Sequence, residues 1–386
     1  MSHSARSLPR LALWSTAFAA LIATAPLTAA ADSHAQSALP AYIIEQFGEP
    51  PALPTDVDDA ALADNMRTVF IDSVEDSSWR EPQSEALAAL VEAGDPRVVW
   101  PMSDLMRFVG NSGLIAVLAD ASSKLLGIEY PDGNVWGRTT DHLMAWRIPE
   151  PPMYLESKRA IFTNLVPGWD KLFVEGDIDW RHVSWGGVLI DDRAYDTTSE
   201  LCNCIPAADN PEVTDVAGAT WLDEDAVVFG LSINGEQRAY PRRIMEVREM
   251  VNDTLGGRDL GIPYCTLCGA AQAYFTDRVP EGVARPVLRT SGLLIRSNKV
   301  MYDVETYSIF DTFKGTAVTG PLAERGVALQ QASMVTTTWG EWRKAYPDTT
   351  VLAEHLALGL DFDFRNNRDA NGPIFPIGDT DPRLPV

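Results

Sequence analysis

The chain has 386 residues, with 31 Lys and Arg against 54 Asp and Glu, a formal net charge of −23, and 46% hydrophobic residues. A surface this acidic repels phosphate backbones and excludes nucleic acid as an expected partner, while the apolar content is that of a chain able to bury cores. The length exceeds what a single core usually serves, so two domains are expected.

In chain order, residues 1–31 read as a secretory signal. Arg6 and Arg10 precede an apolar run from Leu11 to Leu27, and Ala29-Ala30-Ala31 supplies the small residues that a signal peptidase needs. The run is shorter than the ~20 apolar residues of a membrane span. Cleavage is therefore expected rather than an uncleaved anchor, giving a periplasmic or secreted product with no stable membrane insertion. Residues 32–57 are rich in Ala, Pro, Ser and Asp and read as a solvated arm with one anchored piece, Tyr42–Phe47.

From 58 to 148 the apolar period is helical. Leu87, Leu90 and Val91 fit one face, and Val98, Val99, Met102, Leu105, Met106 and Val109 continue at three- and four-residue steps. Gly94-Asp95-Pro96 breaks one helix and starts the next. The stretch Glu85–Phe108 looks like a HEAT-type helical pair. With one good unit and one poor one, a small helical domain is expected rather than a solenoid, which needs about three repeats. Residues 149–200 carry Pro149, Pro151, Pro152, Pro167 and the Trp169, Trp180, Trp185 series with little periodicity. They read as a connecting segment packed on both domains.

From about 205 the period becomes two. Val227–Ile233 and Gln237–Tyr240 flank Asn234-Gly235, a strong hairpin signal. Arg242 to Val251 reads as a helix closed by Asn252-Asp253 and Gly256-Gly257. Gly261–Cys265, Ala270–Phe275, Pro286–Thr290, Lys299–Tyr302, Thr316–Thr319 and Thr350–Leu352 read as strands. Thr337–Tyr346 reads as a helix capped by Thr338. The β-rich unit spans 201–360, and 361–386 is a loop-rich tail in which Phe375 is expected to pack on it. The expected fold class is α+β: an N-terminal HEAT-like helical domain followed by a β-rich mixed domain.

This second half resembles the domain-of-unknown-function family 3179. The resemblance rests on I-P-A-A-D-N-P from Ile205, I-N-G-E-Q-R-A-Y-P from Ile233, E-M-V-N-D-T-L-G-G from Glu249 and Y-C-T-L-C-G-A-A from Tyr264. S-G-L-L-I-R-S-N-K-V-M-Y-D from Ser291 and T-T-W-G-E-W-R-K-A-Y-P-D-T from Thr337 complete it. The resemblance implies a fold unit and export but no established reaction. Members of the family usually have a His just before the Glu of the E-x-V-N-D element; this chain has Arg248 there.

The chain has 4 cysteines, Cys202, Cys204, Cys265 and Cys268, spaced C-x-C and C-x-x-C. Three chemistries remain open. Thiolates at this spacing suit a soft metal, with one zinc or copper ion as the cofactor. Export suits structural disulfides. A C-x-x-C at a strand end suits a redox-active dithiol. Arg248, Glu249, Asp253 and His182 are the expected supporting residues. Glu249 and Asp253 lie four apart on the expected helix and so share a face. His182, in W-R-H-V-S-W, is the histidine best placed to approach the second domain, whereas His142 reads as a packed or surface histidine. No H-E-x-x-H, Walker or G-x-G-x-x-G pattern occurs, and no catalytic residue is assigned. The expected function is soft-metal binding or thiol redox centred on the C-x-x-C. The alternative is a non-catalytic binding or scaffold protein, with structural cysteines and a protein partner docked on the helical domain.

Overall fold

Residues 39–196 and 204–353 are described by a computed structural model; the readings of the leader and of the 361–386 tail with Phe375 lie outside them. The anchored piece of the arm is helix α1 (Ala41–Phe47). The Asp58 carboxylate accepts the Ala60 and Ala61 N–H groups and starts α2 (Asp59–Arg67). α2 runs through a π-helical turn, Thr68–Asp72, into the short α3 (Ser73–Glu75). α4 (Glu81–Ala93) ends where expected, on Gly94 at φ 66, a left-handed position that glycine takes without strain. Asp95 then caps the turn that leads into α5 (Val99–Phe108). α6 (Ser112–Leu126), α7 (Val135–Ala145) and α8 (Tyr154–Leu165) follow.

α5 is central. Its Trp100, Met102, Leu105 and Met106 are buried, and α6, α7 and α8 all pack against it. α8 also returns onto the π turn and α3, so the helices close on themselves instead of contacting only their neighbours in line, as stacked repeats do. α8 corrects the reading of 149–200 as a mere connector. Its buried face is Tyr154, Ser157, Lys158, Ile161 and Phe162. The polar pair in the middle of that face hides the helical period. Lys158 is buried because its ammonium donates to Asp104 Oδ1 at 2.7 Å and to the Tyr154 hydroxyl at 3.1 Å. His142 is a core histidine, packed edge-on against Phe47 and Trp146, with Nδ1 2.6 Å from the Arg138 carbonyl oxygen.

The rest is β-rich. It runs β1 (Val183–Trp185), β2 (Ala208–Asp209), β3 (Val213–Asp215), β4 (Val227–Ile233), β5 (Glu236–Pro241), α9 (Arg242–Arg248), β6 (Met250–Leu255) and β7 (Arg258–Cys265). Then come β8 (Ala270–Ala271), β9 (Tyr274–Phe275), β10 (Leu288–Ile295), β11 (Asn298–Asp303), β12 (Ile309–Asp311), β13 (Thr316–Ala317) and α10 (Gly320–Glu324). β14 (Gln330–Gln331), β15 (Met334–Thr338), α11 (Trp339–Ala345) and β16 (Thr350–Leu352) end the described chain. The sheets have the orders β1-β10-β11-β12-β13, β14-β9-β7-β6-β2 with β8 beside β7, and β15-β4-β5-β16-β3. The architecture is α+β. Asn234 and Gly235, at φ 50 and 88, make the two-residue turn of the β4–β5 hairpin.

The helix expected over 242–251 stops at Arg248. Glu249 closes it at φ 50, ψ −9, and Met250–Leu255 is a strand that turns through Gly256-Gly257 into β7. Asn252-Asp253 is therefore not a helix exit, and Glu249 and Asp253 share no helical face. Met250 and Val251 are both fully buried, one in each of two adjoining cores, which alternate strand positions allow.

The β10–β11 hairpin joins the two halves and is buried on both faces. Leu293, Val300 and Tyr302 enter the core of the helical unit, while Leu288 and Met301 enter the cluster of Met250, Tyr274 and Phe310. β1 pairs along β10, and Trp169 donates its indole N–H to the Ser291 carbonyl at 2.7 Å. Beside the hairpin lies a buried ionic network. The Arg289 guanidinium holds Asp209 through two bonds of 2.8 and 2.6 Å, with both side chains at 0% exposure. Asn252 donates to Asp209 at 2.8 Å, and Arg193 pairs with the buried Asp191 at 2.6 Å. Removing one partner of such a pair strands a buried charge. Asp209→Ala should lower unfolding free energy by about 3–5 kcal/mol in denaturant titrations; a loss below about 1 kcal/mol would mean that water reaches Arg289.

Candidate functional site

The C-x-x-C sits where β7 ends. Cys265 is the last residue of that strand, and the chain turns through Thr266–Gly269 into β8, which pairs Ala270 back onto Cys265. Gly269 closes this turn at φ 62. The consequence is asymmetric: Cys265 is 1% exposed, while Cys268 stands at the surface. Both are free thiols, and their sulfurs lie 2.7 Å apart.

Three segments enclose the pair. The first is the cap of α9. Glu249 occupies the left-handed position, where its carbonyl accepts the Tyr264 N–H at 2.9 Å and also the Lys299 ammonium. The Glu249 carboxylate accepts the Thr266 hydroxyl and lies 3.9 Å from Lys299 Nζ. The second is β11. Its alternation sends Val300 and Tyr302 to the helices, and so turns Lys299 the other way, toward the sulfurs. Lys299 is 3% exposed and also donates to Thr290 Oγ1 at 2.8 Å. The third is the β10–β11 turn. Cys268 Sγ lies 3.5 Å from Asn298 Oδ1 and 4.0 Å from the Ser297 carbonyl oxygen.

These surroundings separate the two thiols electrically. The hydrogen bond with Cys268, opposed by burial and supported by the backbone N–H groups of Lys299 and Cys268, holds Cys265 below the usual thiol range. Cys268, hydrogen-bonded to Cys265 and partly desolvated, is pushed far above it. Burial lowers Lys299 to about 8, against the attraction of Glu249 and Cys265. The two thiols are thus shifted in opposite directions, the inner one toward its thiolate and the outer one away from it.

Among the other residues singled out in the sequence, Arg248 is buried directly before the Glu249 cap. Desolvation and the Arg193 guanidinium lower it to about 9, against the attraction of Asp191. Asp253 stands apart. It pairs across to Leu260, five strand residues from Cys265 and so roughly 16 Å along the ladder. There it binds Arg238 at 2.6 Å and accepts the Tyr240 hydroxyl at 2.8 Å, fastening β5 to β6. His182 reaches the second half, but it meets Arg296, whose Nε lies 3.3 Å from its Nδ1, and Asp179 at 3.5 Å, not the sulfurs. Cys204 is disulfide-bonded, and its partner is neither Cys265 nor Cys268, which are free. Cys202 lies outside the described residues. Among the described residues no three His, Cys, Asp or Glu side chains are grouped to hold a metal ion, and no helix is long and apolar enough to cross a membrane.

Sequence reasoning missed Lys299, Thr266 and Asn298. The available signal was a lysine leading directly into Val300-Met301-Tyr302, since a charge in a strand buried on both faces requires a partner. No curated protein and no solved structure matches the chain. Residues 202–386 match the model of the family described as "Protein of unknown function (DUF3179)".

Proposed function

We propose that Cys265 and Cys268 form a thiol–disulfide redox centre that accepts two electrons from dithiol substrates outside the cytoplasm. The observation that carries this reading is the pair itself: two free thiols 2.7 Å apart, one buried and one at the surface. The leader read at 1–31 supports an oxidising setting, where disulfides persist. A soft-metal site is less well supported. A structural zinc takes four donors, and here the nearby carboxylate is occupied by Thr266 while the buried Lys299 ammonium lies within electrostatic reach of Cys265.

The asymmetry gives the reaction a direction. In the oxidised pair, a substrate thiolate attacks the accessible sulfur of Cys268. The S–S bond breaks, and its electron pair leaves on Cys265, whose thiolate is held by the backbone N–H groups and by the Lys299 ammonium. A low-pKa thiol is the better leaving group. The second substrate thiolate then attacks the substrate sulfur of the mixed disulfide and expels Cys268, which takes up a proton. The substrate departs as a disulfide, the protein retains the dithiol, and a more oxidising disulfide couple restores it.

Trapping tests this directly. In the full chain, Cys265→Ser should accumulate a glutathione mixed disulfide mapped to Cys268, whereas Cys268→Ser should leave Cys265 unmodified until the protein is denatured. Equal labelling of the two variants, or a stoichiometric zinc that blocks both thiols in the wild type, would refute the proposal.

Lys299 is a positioning residue in this scheme. Its attraction to Cys265 is mutual, so Lys299→Met should raise the half-point of thiolate ultraviolet absorbance by about one pH unit or more. The same substitution should leave the secondary structure unchanged. An unshifted titration would assign the lowered Cys265 to its hydrogen bonds alone.

A further inference from the structure

The helical unit holds a cavity of about 340 Å³, built from residues unrelated to the thiol pair. Its floor is apolar, with Val74, Leu105 and Ile161 all buried. Its mouth is polar, with Ser77, Asn111 and Asn164 exposed. Every lining residue is uncharged, on a chain whose formal net charge is −23. Such a lining gives an ionic ligand no counter-charge and would desolvate it at a cost. The volume lies at the lower end of the about 300–1,000 Å³ typical of ligand clefts.

Two locally unfavourable features border this space. The π-helical turn Thr68–Asp72 directly precedes Ser73 and Val74, which line it. Segments of this kind are uncommon and recur at functional sites. Four residues further on, Ser77 lines the mouth at φ 48, in the left-handed region that costs a non-glycine residue about 1–2 kcal/mol. The Ser78 N–H returns to the Ser73 carbonyl at 2.9 Å, so the chain ends α3 sharply and leaves the cleft uncovered. On the opposite lip, Asn111 caps α6. Its Oδ1 accepts the Gly113 and Leu114 N–H groups, which leaves its amide Nδ2 as the donating end.

We propose that this cavity binds a small uncharged ring compound carrying a carbonyl or ether oxygen. The ring lies on the Val74–Leu105–Ile161 floor beside Trp79 and Phe108, and the oxygen accepts a hydrogen bond at the mouth from Asn111. The site is independent of the redox proposal and stands or falls without it.

The test uses the full chain and two fluorescent probes. Prodan is a neutral naphthalene bearing a ketone; 1-anilinonaphthalene-8-sulfonate has a similar ring system but carries a negative charge. Prodan should bind saturably, one per chain, with a blue-shifted emission, and the sulfonate at least about tenfold more weakly. Asn111→Asp keeps an N-cap residue but replaces the donor with a charged acceptor, and should weaken prodan about tenfold. Leu114→Trp narrows the cleft and should weaken it at least as much, with the Cys265 and Cys268 thiols counted as in wild type. Non-saturable prodan binding, equal affinity for the sulfonate, or affinity unchanged in Asn111→Asp would overturn the proposal, the last by locating the probe elsewhere on the surface.

Discussion

Most of the arrangement depends on one constraint: the β10–β11 hairpin has no solvent face. A strand pair buried on both sides needs two apolar layers, and this chain supplies one from the helices and the other from the family half. The period of two then decides which side chain meets which layer. Val300 and Tyr302 pin the hairpin to the helical unit, and the residue before them, Lys299, is carried to the opposite side, onto Glu249 and within electrostatic reach of Cys265. The same hairpin ends in a turn at Arg296 and Ser297, both at positive φ although neither is glycine. That turn is held from the helical side by His182 and presses Asn298 against Cys268 from the other. The helical half thus contributes to the site without touching the sulfurs.

A second theme is the placement of positive charge. The chain is strongly acidic overall, yet Arg193, Arg248, Arg289 and Lys299 are all buried near its centre. Arg289 and Arg193 are matched by Asp209 and Asp191 through short paired bonds, as buried ions require. Lys299 is matched less completely. Its nearest carboxylate oxygen is 3.9 Å away, and its hydrogen bonds go to a carbonyl and a hydroxyl, which leaves part of its field for Cys265. Incomplete local neutralisation beside a thiol lowers the cost of the thiolate, and a stabilised reduced form makes the corresponding disulfide more oxidising.

Much of the fold was legible in the residues because the signals were local. Gly94-Asp95-Pro96, Asn234-Gly235 and the Thr338 cap each carry their geometry in two or three positions, and each stands where expected. The errors arose where tertiary pairing overrides local pattern. Met250 and Val251 continue the apolar positions of α9 in sequence, but pairing with β7 through the Gly256-Gly257 turn makes Met250–Leu255 a strand. α8 was hidden because Ser157 and Lys158 occupy its buried face. The cysteines announced the site by spacing alone. The lysine beside it was signalled only by its place ahead of Val300-Met301-Tyr302, a run that implies burial on both sides.

Oxidation of substrate dithiols requires the protein to favour the reduced form of the Cys265–Cys268 pair. The direct measurement is the reduction potential of that pair in the full chain, read by mass mapping after equilibration with glutathione at graded ratios of its reduced and oxidised forms. The expected potential lies above about −200 mV, toward the oxidising end of protein dithiols. A value below about −270 mV, or thiols that never form the bond at any ratio, would contradict it.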